Sequence, residues 1–389
     1  MIKELTMEKT SFPAGWKYKK LSELCKTGAG GTPLKSHKDY YVNGNIPWLR
    51  SGEVNNRSIT KSELFITEKG LNNSSAKLFP KNSVLVAMYG ATAGQVGILC
   101  FECSTNQAVC GIFPNDNIIP EFIYYKFLEG KEALVKQAVG GAQPNISQIK
   151  IKNTLIPDIS LGEQKQIVAT LDKAFAAIDT AKANAEQNIQ NAKELFESYL
   201  KNVFDNKGDD WEEKTLGEVV DIKTGKLNSN AMEENGKYPF FTCSRKIFAI
   251  NEYAFHSKAV LLAGNNASGD FNVKYYKGKF NAYQRTYVIT VNSENELLYS
   301  YLKHKLLFHL SVFKKQSVGA NTKFLKLGMI KGVKIILPPI EQQKQIVQKL
   351  DSLSIECEKL EAIYTQKIAD LEEMKKSVLQ KAFSGQLKL

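Results

Sequence analysis

The sequence predicts an α+β protein in which two mixed α/β domains are joined by two long helices, packed as an antiparallel coiled coil with pseudo-two-fold symmetry. Two observations predict this fold. First, a stretch of 42 residues, 163–204, recurs without a gap as residues 342–383, with 14 identical pairs. Second, each copy follows a region of short apolar runs bounded by turn residues, which is typical of β-strands. The predicted order is therefore domain, helix, domain, helix.

Each copy of the repeat is predicted to be one helix because it contains neither Pro nor Gly. At the rise of an α-helix, 42 residues would span about 63 Å. Apolar side chains recur in steps of three and four, the spacing of a coiled-coil seam. The seam residues are Ile167, Leu171, Ala174, Ile178, Ala181, Ala185, Ala192, Leu195 and Tyr199 in the first copy, and Ile346, Leu350, Leu353, Cys357, Leu360, Tyr364, Leu371, Met374 and Val378 in the second. The polar residues Asn188 and Lys367 interrupt the two seams at equivalent positions. Either they fix the register or orientation of the paired helices, or they mark where the apolar stripe drifts around the helix.

The parts outside the repeat are related more loosely but share one plan. We expect the first mixed domain over residues 1–160, the first long helix over 161–206, the second domain over 207–339 and the second helix over 340–389. A buried strand is predicted at residues 83–88, further strands at 151–156 and 259–263, and shorter helices at 121–136 and 297–310.

The composition favours a soluble protein with an anionic partner. Lys and Arg outnumber Asp and Glu by 52 to 40, which gives a net charge of +12 and a pI near 9.1. Double-stranded DNA would suit this charge, although a basic surface without a ligand would also explain it. No signal peptide or membrane-spanning run is visible, and six scattered Cys residues suggest reduced thiols. We therefore expect a cytoplasmic location.

Polar and basic residues cluster in the turns that follow predicted strands in both domains. Asn and Gln can bond adenine through two hydrogen bonds, and Arg can do the same to guanine, so such turns suit DNA. Any one of these residues could instead be a solvated loop residue, and the prediction depends on their clustering in both halves. The predicted DNA-binding residues are Lys35, Lys38, Arg50, Asn56, Arg57, Tyr89, Thr92, Gln95, Gln143 and Asn145 in the first domain, and Lys226, Ser244, Arg245, Lys246, Asn265, Asn266, Lys274, Tyr283, Gln284, Arg285, Asn321 and Lys323 in the second. The further polar residues in or beside these turns are Ser36, His37, Ser51, Asn55, Gln107, Asn228, Tyr275, Tyr276, Lys279, Lys314, Lys315 and Thr322.

Motifs for autonomous chemistry are missing from the sequence. No phosphate-binding loop of the Gly-x4-Gly-Lys-Ser/Thr type occurs, and residues 337–340, Leu-Pro-Pro-Ile, lack the polar first residue of an adenine methyltransferase tetrapeptide. Asp158 and Glu163 resemble a nuclease metal site, but the second copy has Pro339 and Gln342 there. The group Cys100, Cys103 and Cys110 is a weak zinc pattern because no His lies at ligand spacing. We expect no catalytic residue, no bound metal and no cofactor.

The entry to each long helix carries the most specific pattern, Pro-x-Ile followed by Gln-Lys-Gln-Ile-Val and Leu-Asp, at residues 157–172 and 338–351. This duplicated pattern resembles the specificity (S) subunit of type I restriction–modification systems. Residues 46–53, 106–107 and 140–146 support the resemblance, which covers nearly the whole chain. The second half departs from the pattern at residues 319–323, Gly-Ala-Asn-Thr-Lys.

The resemblance implies two target-recognition domains, each of which reads one half of a bipartite, asymmetric DNA site. It also implies that the helices set the spacer between the half-sites and dock two methyltransferase (modification) subunits, which restriction (translocase and nuclease) subunits join. The S subunit itself would catalyse nothing. The alternatives are an autonomous DNA nuclease or methyltransferase, and a coiled-coil scaffold without a DNA role.

Overall fold

The computed structural model describes residues 16–137, 145–206, 208 and 211–387. The chain divides into two compact units: unit 1 is Met1–Asn184 together with Lys367–Leu389, and unit 2 is Ala185–Gln366. Each unit contains one mixed domain and a section of both long helices. The predicted α+β class with two such domains is confirmed.

The described residues of unit 1 form three small sheets. Their strands are β1 (Lys17–Lys20), β2 (Thr27–Ala29), β3 (Ile46–Leu49), β4 (Ser58–Ile59), β5 (Phe65–Ile66), β6 (Leu78–Phe79), β7 (Val84–Ala87), β8 (Val96–Leu99), β9 (Cys103–Thr105), β10 (Val109–Ile112) and β11 (Leu155–Asp158). The strand orders are β1-β11, β2-β10-β7-β8-β4 and β5-β3-β9-β6. The pairs β3–β9 and β4–β8 are parallel, and the other pairs are antiparallel.

Except for α2, which packs against the segment around Tyr40, the helices of unit 1 cover one face of its central sheet. They are α1 (Leu21–Leu24), α2 (Glu68–Asn72), α3 (Pro120–Glu129), α4 (Lys131–Lys136), α5 (Gln148–Lys152) and the first part of α6 (Leu161–Asp205). Strand β7 is buried on both faces, because Val84 and Val86 join the core beneath the helices while Leu85 and Ala87 join a second core between the sheets. The helix-side core therefore fixes the sheet against α3 and α6.

Unit 2 repeats this plan around a longer sheet. Its strands are β12 (Glu212–Thr215), β13 (Val220–Thr224), β14 (Tyr238–Phe241), β15 (Phe248–Ile250), β16 (Phe255–Ala263), β17 (Asn265–Asn266), β18 (Val273–Ala282), β19 (Thr286–Val291), β20 (Lys323–Phe324) and β21 (Lys334–Leu337). Its helices are α7 (Leu216–Val219), α8 (Tyr299–Gln316), α9 (Leu327–Lys331), the rest of α6 and most of α10 (Ile340–Phe383), whose end belongs to unit 1. The strand orders are β12-β21, β13-β19-β16-β18-β14-β15 and β17-β20, and β14 pairs in parallel with β18.

The two long helices run antiparallel within each unit. In unit 1, Lys182 pairs with Glu372 at 2.5 Å and Asp179 pairs with Lys375 at 2.9 Å, so the residue number falls on one helix as it rises on the other. In unit 2, residues Leu200 and Phe204 of α6 share a core with Val347 and Leu350 of α10. The predicted helices and their antiparallel packing are thus confirmed.

Three residues that were predicted to lie in the coiled-coil seam are exposed to solvent in the structure. Leu195 and Met374 are each 52% exposed and Leu360 is 39% exposed, although most other seam positions are buried or half-buried. Leu195 and Met374 are repeat-equivalent, so the apolar stripe leaves the contact face at the same place in both copies. This is the expected drift of a helix with 3.6 residues per turn against a repeat of 3.5.

Two local predictions were wrong. The strand predicted at residues 151–156 begins only at Leu155, because the end of α5 occupies residues 151 and 152. Ser147 caps this helix by accepting a hydrogen bond from the amide of Lys150, which stabilises a helical turn over a β-branched sequence. The helix predicted at residues 121–136 is broken at Gly130 into α3 and α4.

Candidate nucleic-acid interface

Four turns of unit 1 meet at one edge of its sheets, which we call the first loop edge: residues 30–32, 50, 89–95 and 106–108, with Asn145 beside them. Backbone hydrogen bonds tie these turns together. Gly31 donates to the Thr105 carbonyl at 2.8 Å, the amide of Asn106 donates to Leu49 at 2.9 Å, and that of Met88 donates to Ala108 at 2.8 Å. Distant parts of the sequence are therefore held within a few ångströms of each other.

Unit 2 has an equivalent second loop edge, formed by residues 225–228, 242–246, 264–270, 283–285 and 321–323. The amide of Tyr283 donates to Phe241 at 2.9 Å, and the amide of Gln284 donates to Leu227 at 2.9 Å. The approach of two segments is close at Gly225, where an added Cβ would lie 1.7 Å from the Ala282 carbonyl oxygen. Only glycine fits there, so this contact sets how near the turn at 225–228 lies to the turn at 283–285.

The structure brings most of the predicted residues of unit 2 onto the second loop edge. A network of hydrogen bonds orders them: Arg245 binds both carboxylate oxygens of Asp270 at 3.0 Å, and the amide of Asp270 donates to the Asn266 side chain at 3.2 Å. Asn266 also pairs with Lys323 through β17 and β20. The members predicted from the sequence are Lys226, Ser244, Arg245, Lys246, Asn265, Asn266, Tyr283, Gln284, Arg285, Asn321 and Lys323.

Lys274 lies under this network rather than on its surface. Its Nζ donates to the Ser244 carbonyl at 2.6 Å and also contacts the Asn272 side chain, whose amide donates to Cys243. Burial, with a contribution from the positive charge of Arg245, lowers the pKa of Lys274 from its ordinary value. Lys274 therefore supports the segment that carries Ser244 and Arg245.

The second loop edge adjoins a cavity of about 520 Å³. Lys223, Lys226 and Tyr287 line it, together with Phe255 and Leu327. Its wall is therefore part basic and part apolar.

The first loop edge holds fewer of the predicted residues. Arg50, Tyr89, Thr92, Gln95 and Asn145 lie on it, and Tyr89 forms a β-bridge with Asn145. Lys35 and Lys38 are exposed in the loop that follows β2, and Asn56 is exposed beside β8. Gln143 lies outside the residues that the structure describes.

Arg57 lies at a different place, where the domain of unit 1 joins α6. Its guanidinium contacts both carboxylate oxygens of Asp172, at 2.6 and 3.1 Å, and the Tyr125 hydroxyl at 3.2 Å. Tyr125 in turn donates to Asp172 at 2.5 Å. Burial would raise the pKa of Asp172, but the hydrogen bonds from Arg57 and Tyr125 outweigh it and lower that pKa. This cluster positions the domain on the helix.

Unit 2 has an equivalent joint, by which we mean the contact between a domain and its long helix, but different side chains form it. Asp351 is the repeat-equivalent of Asp172, and it contacts the Nε2 atom of His304 on α8 at 2.7 Å. His304 stands where Tyr125 stands in unit 1, and its side chain is only 1% exposed. Burial lowers the pKa of His304, against the opposing effect of the Asp351 carboxylate.

Buried glutamines form a second contact at each joint. Gln164 accepts a hydrogen bond from the amide of Ile119 at 2.9 Å and donates to the carbonyls of Asn117 and Ile159. Gln343 accepts from Leu298 at 3.0 Å and donates to Glu296 and Pro338. The identical Gln and Asp of the duplicated helix entry therefore share one function, which is to hold each domain on its helix.

The carboxylates that resembled a nuclease site have structural partners. Asp158 forms an ion pair with Lys19 at 2.7 Å. Glu163 accepts hydrogen bonds from the Ser160 amide at 3.0 Å and the Ser160 hydroxyl at 2.8 Å, which caps the start of α6. Both contacts are those of a strand pair and a helix N-terminus.

Several residues of the loop edges, and of the hydrogen-bonded groups beneath them, were not predicted from the sequence. Thr32, Asp270 and Asn272 belong to the hydrogen-bonded networks, but each lies in an ordinary polar turn with no distinctive spacing. Asp270 could have been found only by looking for an acidic partner of Arg245, which lies 25 residues away.

The family of the chain is identified by comparison with known protein families. The family model of the type I restriction modification DNA specificity domain matches it twice, over residues 13–191 and 208–372. The chain belongs to this family. The two matches cover most of the chain and correspond to the internal duplication. The resemblance inferred from the helix entries is thereby confirmed.

Individual relatives agree with this assignment. The specificity subunit of the type I restriction enzyme EcoDI of Escherichia coli is 38% identical over 179 residues, which cover 46% of this chain and 39% of that protein. This match therefore spans well under half of the relative's length. The specificity subunit of the enzyme MjaIX of Methanocaldococcus jannaschii is 28% identical, over 88% of this chain and 86% of that protein.

Solved structures share the fold at low identity. A chain from a structure of the type I R-M system, described by its complex assembly and conformational transition, matches with a TM-score of 0.80 and 20% identity, over 97% of this chain and 99% of that chain. The HsdS subunit from Thermoanaerobacter tengcongensis matches with a TM-score of 0.61 and 19% identity, over 97% and 98%. Among the described residues, no helix is long and apolar enough to cross a membrane.

Proposed function

We propose that this chain is the non-catalytic specificity subunit of a type I restriction–modification complex, and that each loop edge reads one half of a bipartite, asymmetric DNA site. The observation that carries the proposal is the duplicated loop edge, which presents amides and cations from separate segments on a rigid backbone framework. Membership of the DNA specificity family supports it.

The charge of the loop edges suits a DNA ligand. Lys226, Lys246 and Arg285 are exposed on the second loop edge, and Lys35 and Lys38 are exposed near the first. Cations of this kind bind phosphates and release counterions, whereas Asn and Gln side chains in the same turns can bond base edges. Binding should therefore weaken steeply as the salt concentration rises.

The long helices would act as the spacer and as the docking surface for partners. Helix α6 is continuous over 45 residues, so its length can set the separation between the half-sites. We propose that two methyltransferase subunits dock on the complex, and that restriction subunits join them. The chemistry would belong to those chains, which leaves this one without a catalytic residue, metal or cofactor, in the cytoplasm where its DNA substrate lies.

The test is to co-express the chain with its methyltransferase subunit and to map methylated adenines in the host genome. We expect one bipartite motif with a fixed spacer, which disappears when this chain is omitted. Methylation or cleavage by the purified chain alone, with Mg²⁺ and S-adenosylmethionine, would instead support an autonomous enzyme. A complex that binds DNA with no sequence preference would support a scaffold.

A further inference from the structure

Two turns, one in each unit, have the same backbone framework. Residues 106–109 follow β9, which pairs in parallel with β3, and residues 283–286 follow β18, which pairs in parallel with β14. The first residue of each turn donates to the end of the parallel partner, at 2.9 Å in both cases. Each turn closes by a hydrogen bond from its fourth to its first residue, at 3.2 Å in the first and 2.8 Å in the second.

The third residue of each turn is also fixed in the same way. The carbonyl of Ala108 accepts from Met88, and the carbonyl of Arg285 accepts from Gly264, both at 2.8 Å. Because these three kinds of backbone hydrogen bond recur in both units, residues 106–109 and 283–286 are structurally equivalent. Their position on the loop edges is therefore set by the sheets and not by their side chains.

The second residue is glutamine in both turns, although the other three differ. Gln107 and Gln284 are exposed, so core packing does not explain the shared side chain. Among the residues that the structure describes, each amide has one side-chain hydrogen bond: Gln107 accepts from the Thr32 hydroxyl, and Gln284 donates to the Asn228 side chain at 2.7 Å. An amide oxygen has a second lone pair and an amide nitrogen a second hydrogen, so each side chain keeps one acceptor and one donor for a ligand.

The third residue differs in a way that matters for recognition. Ala108 is 8% exposed and offers no polar group, whereas Arg285 is exposed beside Gln284. An oriented amide matches the donor and acceptor pair of adenine, and a guanidinium matches the two acceptors of guanine. The first turn therefore presents one side chain that can bond a base edge, Gln107, and the second turn presents two, Gln284 and Arg285.

We propose that Gln107 and Gln284 are the equivalent base-reading side chains of the two domains, each bonded to an adenine, and that Arg285 reads a guanine next to the adenine of the second half-site. Thr32 and Asn228 orient the amides before DNA binds. This inference rests on the proposed function, and it assigns the reading of particular bases to side chains of the two loop edges.

The test uses the complex of this chain with its methyltransferase subunit. The wild-type bipartite site is first mapped by methylation, and affinities are then measured for duplexes carrying that site with each base pair exchanged in turn. The variants are Gln107→Ala, Gln284→Ala and Arg285→Ala. Asn251→Ala is the matched control, because Asn251 is an exposed amide bonded to Glu233 outside the loop edges.

We expect Gln107→Ala to weaken binding roughly tenfold to a hundredfold, the range of a lost bidentate contact, and to abolish discrimination at one adenine of the first half-site only. Gln284→Ala should do so at one adenine of the second half-site, and Arg285→Ala at an adjacent guanine. Discrimination retained at the other half-site shows that each variant is folded. The control should change no preference.

Two results would overturn the inference while leaving the proposed function intact. One is a wild-type bipartite site in which either half-site has no adenine. The other is a set of variants whose discrimination stays within about twofold of wild type at every base pair. A wild-type complex without half-site preference would instead refute the proposed function, and this inference with it.

Discussion

The substitution Gln343→Leu tests how the second domain is held on its helix. The Gln343 side chain is 0% exposed and makes three hydrogen bonds, at 3.0 Å from Leu298, 2.7 Å to Glu296 and 2.9 Å to Pro338. Leucine has a similar volume but bonds none of these backbone groups. At about 1 kcal/mol for each lost bond, the variant should lose about 3 kcal/mol of stability.

Calorimetry of the full chain measures this effect. Because unit 2 spans residues 185–366, a loss of about 3 kcal/mol should lower the midpoint of its transition by about 6–12 °C. The matched control is Gln345→Leu, which makes the same change two residues along α10 at an exposed position. It should shift the midpoint by no more than about 1–2 °C, since exposed substitutions change stability little.

A midpoint for Gln343→Leu that equals that of the control would refute the reasoning. The repeat offers an independent check, because Gln164→Leu should destabilise unit 1 by a similar amount. Exposed Gln166 is its matched control. An effect at one glutamine and none at the other would show that the two joints are not equivalent.

Two further perturbations address charged groups. Asp172→Asn should cost only about 1 kcal/mol, measured by thermal unfolding, because the Asp172 and Arg57 side chains are 40% and 37% exposed and solvent screens their ion pair; a loss well above that would contradict the screening argument. Burial, reinforced by the positive charge of Lys305, lowers the pKa of His309 to about 4. Between about pH 6.5 and pH 4 the unfolded chain therefore binds a proton at this residue, whereas the folded chain does not. The stability contributed by neutral His309 should therefore be fully present above pH 6.5 and fall as the pH drops through this window. The loss should be about 1 kcal/mol at pH 5, because His309 is only partly buried and solvent screens part of the effect. A His309→Gln variant should lose less over this range, and an equal loss in both would contradict the assignment.

The repeated helices could be predicted from the sequence because their signal is local and periodic. The sequence also shows that Gln164 and Asp172 recur as Gln343 and Asp351, but it does not show why these residues are the same. Each of these side chains bonds groups at least 45 residues away in the sequence, such as Ile119 and Leu298, and no local pattern encodes such a contact.

The loop edges show the same limit. Clustering of polar turns after strands predicted the residues of the second loop edge, because strand ends meet at a sheet edge. It could not distinguish an exposed cation such as Arg285 from Arg57, whose partner Asp172 lies 115 residues away. For the same reason, Arg245 was predicted without its partner Asp270.

The length of the long helices provides the most direct test of the account. Residues 186–189 and their repeat-equivalents 365–368 can be deleted together, which shortens each helix by about 6 Å at 1.5 Å per residue. Since base pairs are stacked about 3.4 Å apart, we expect the methylation map to show a spacer shorter by about two base pairs between two unchanged half-sites. An unchanged spacer, or altered half-sites, would contradict the claim that the helices hold two separate DNA readers at a set distance.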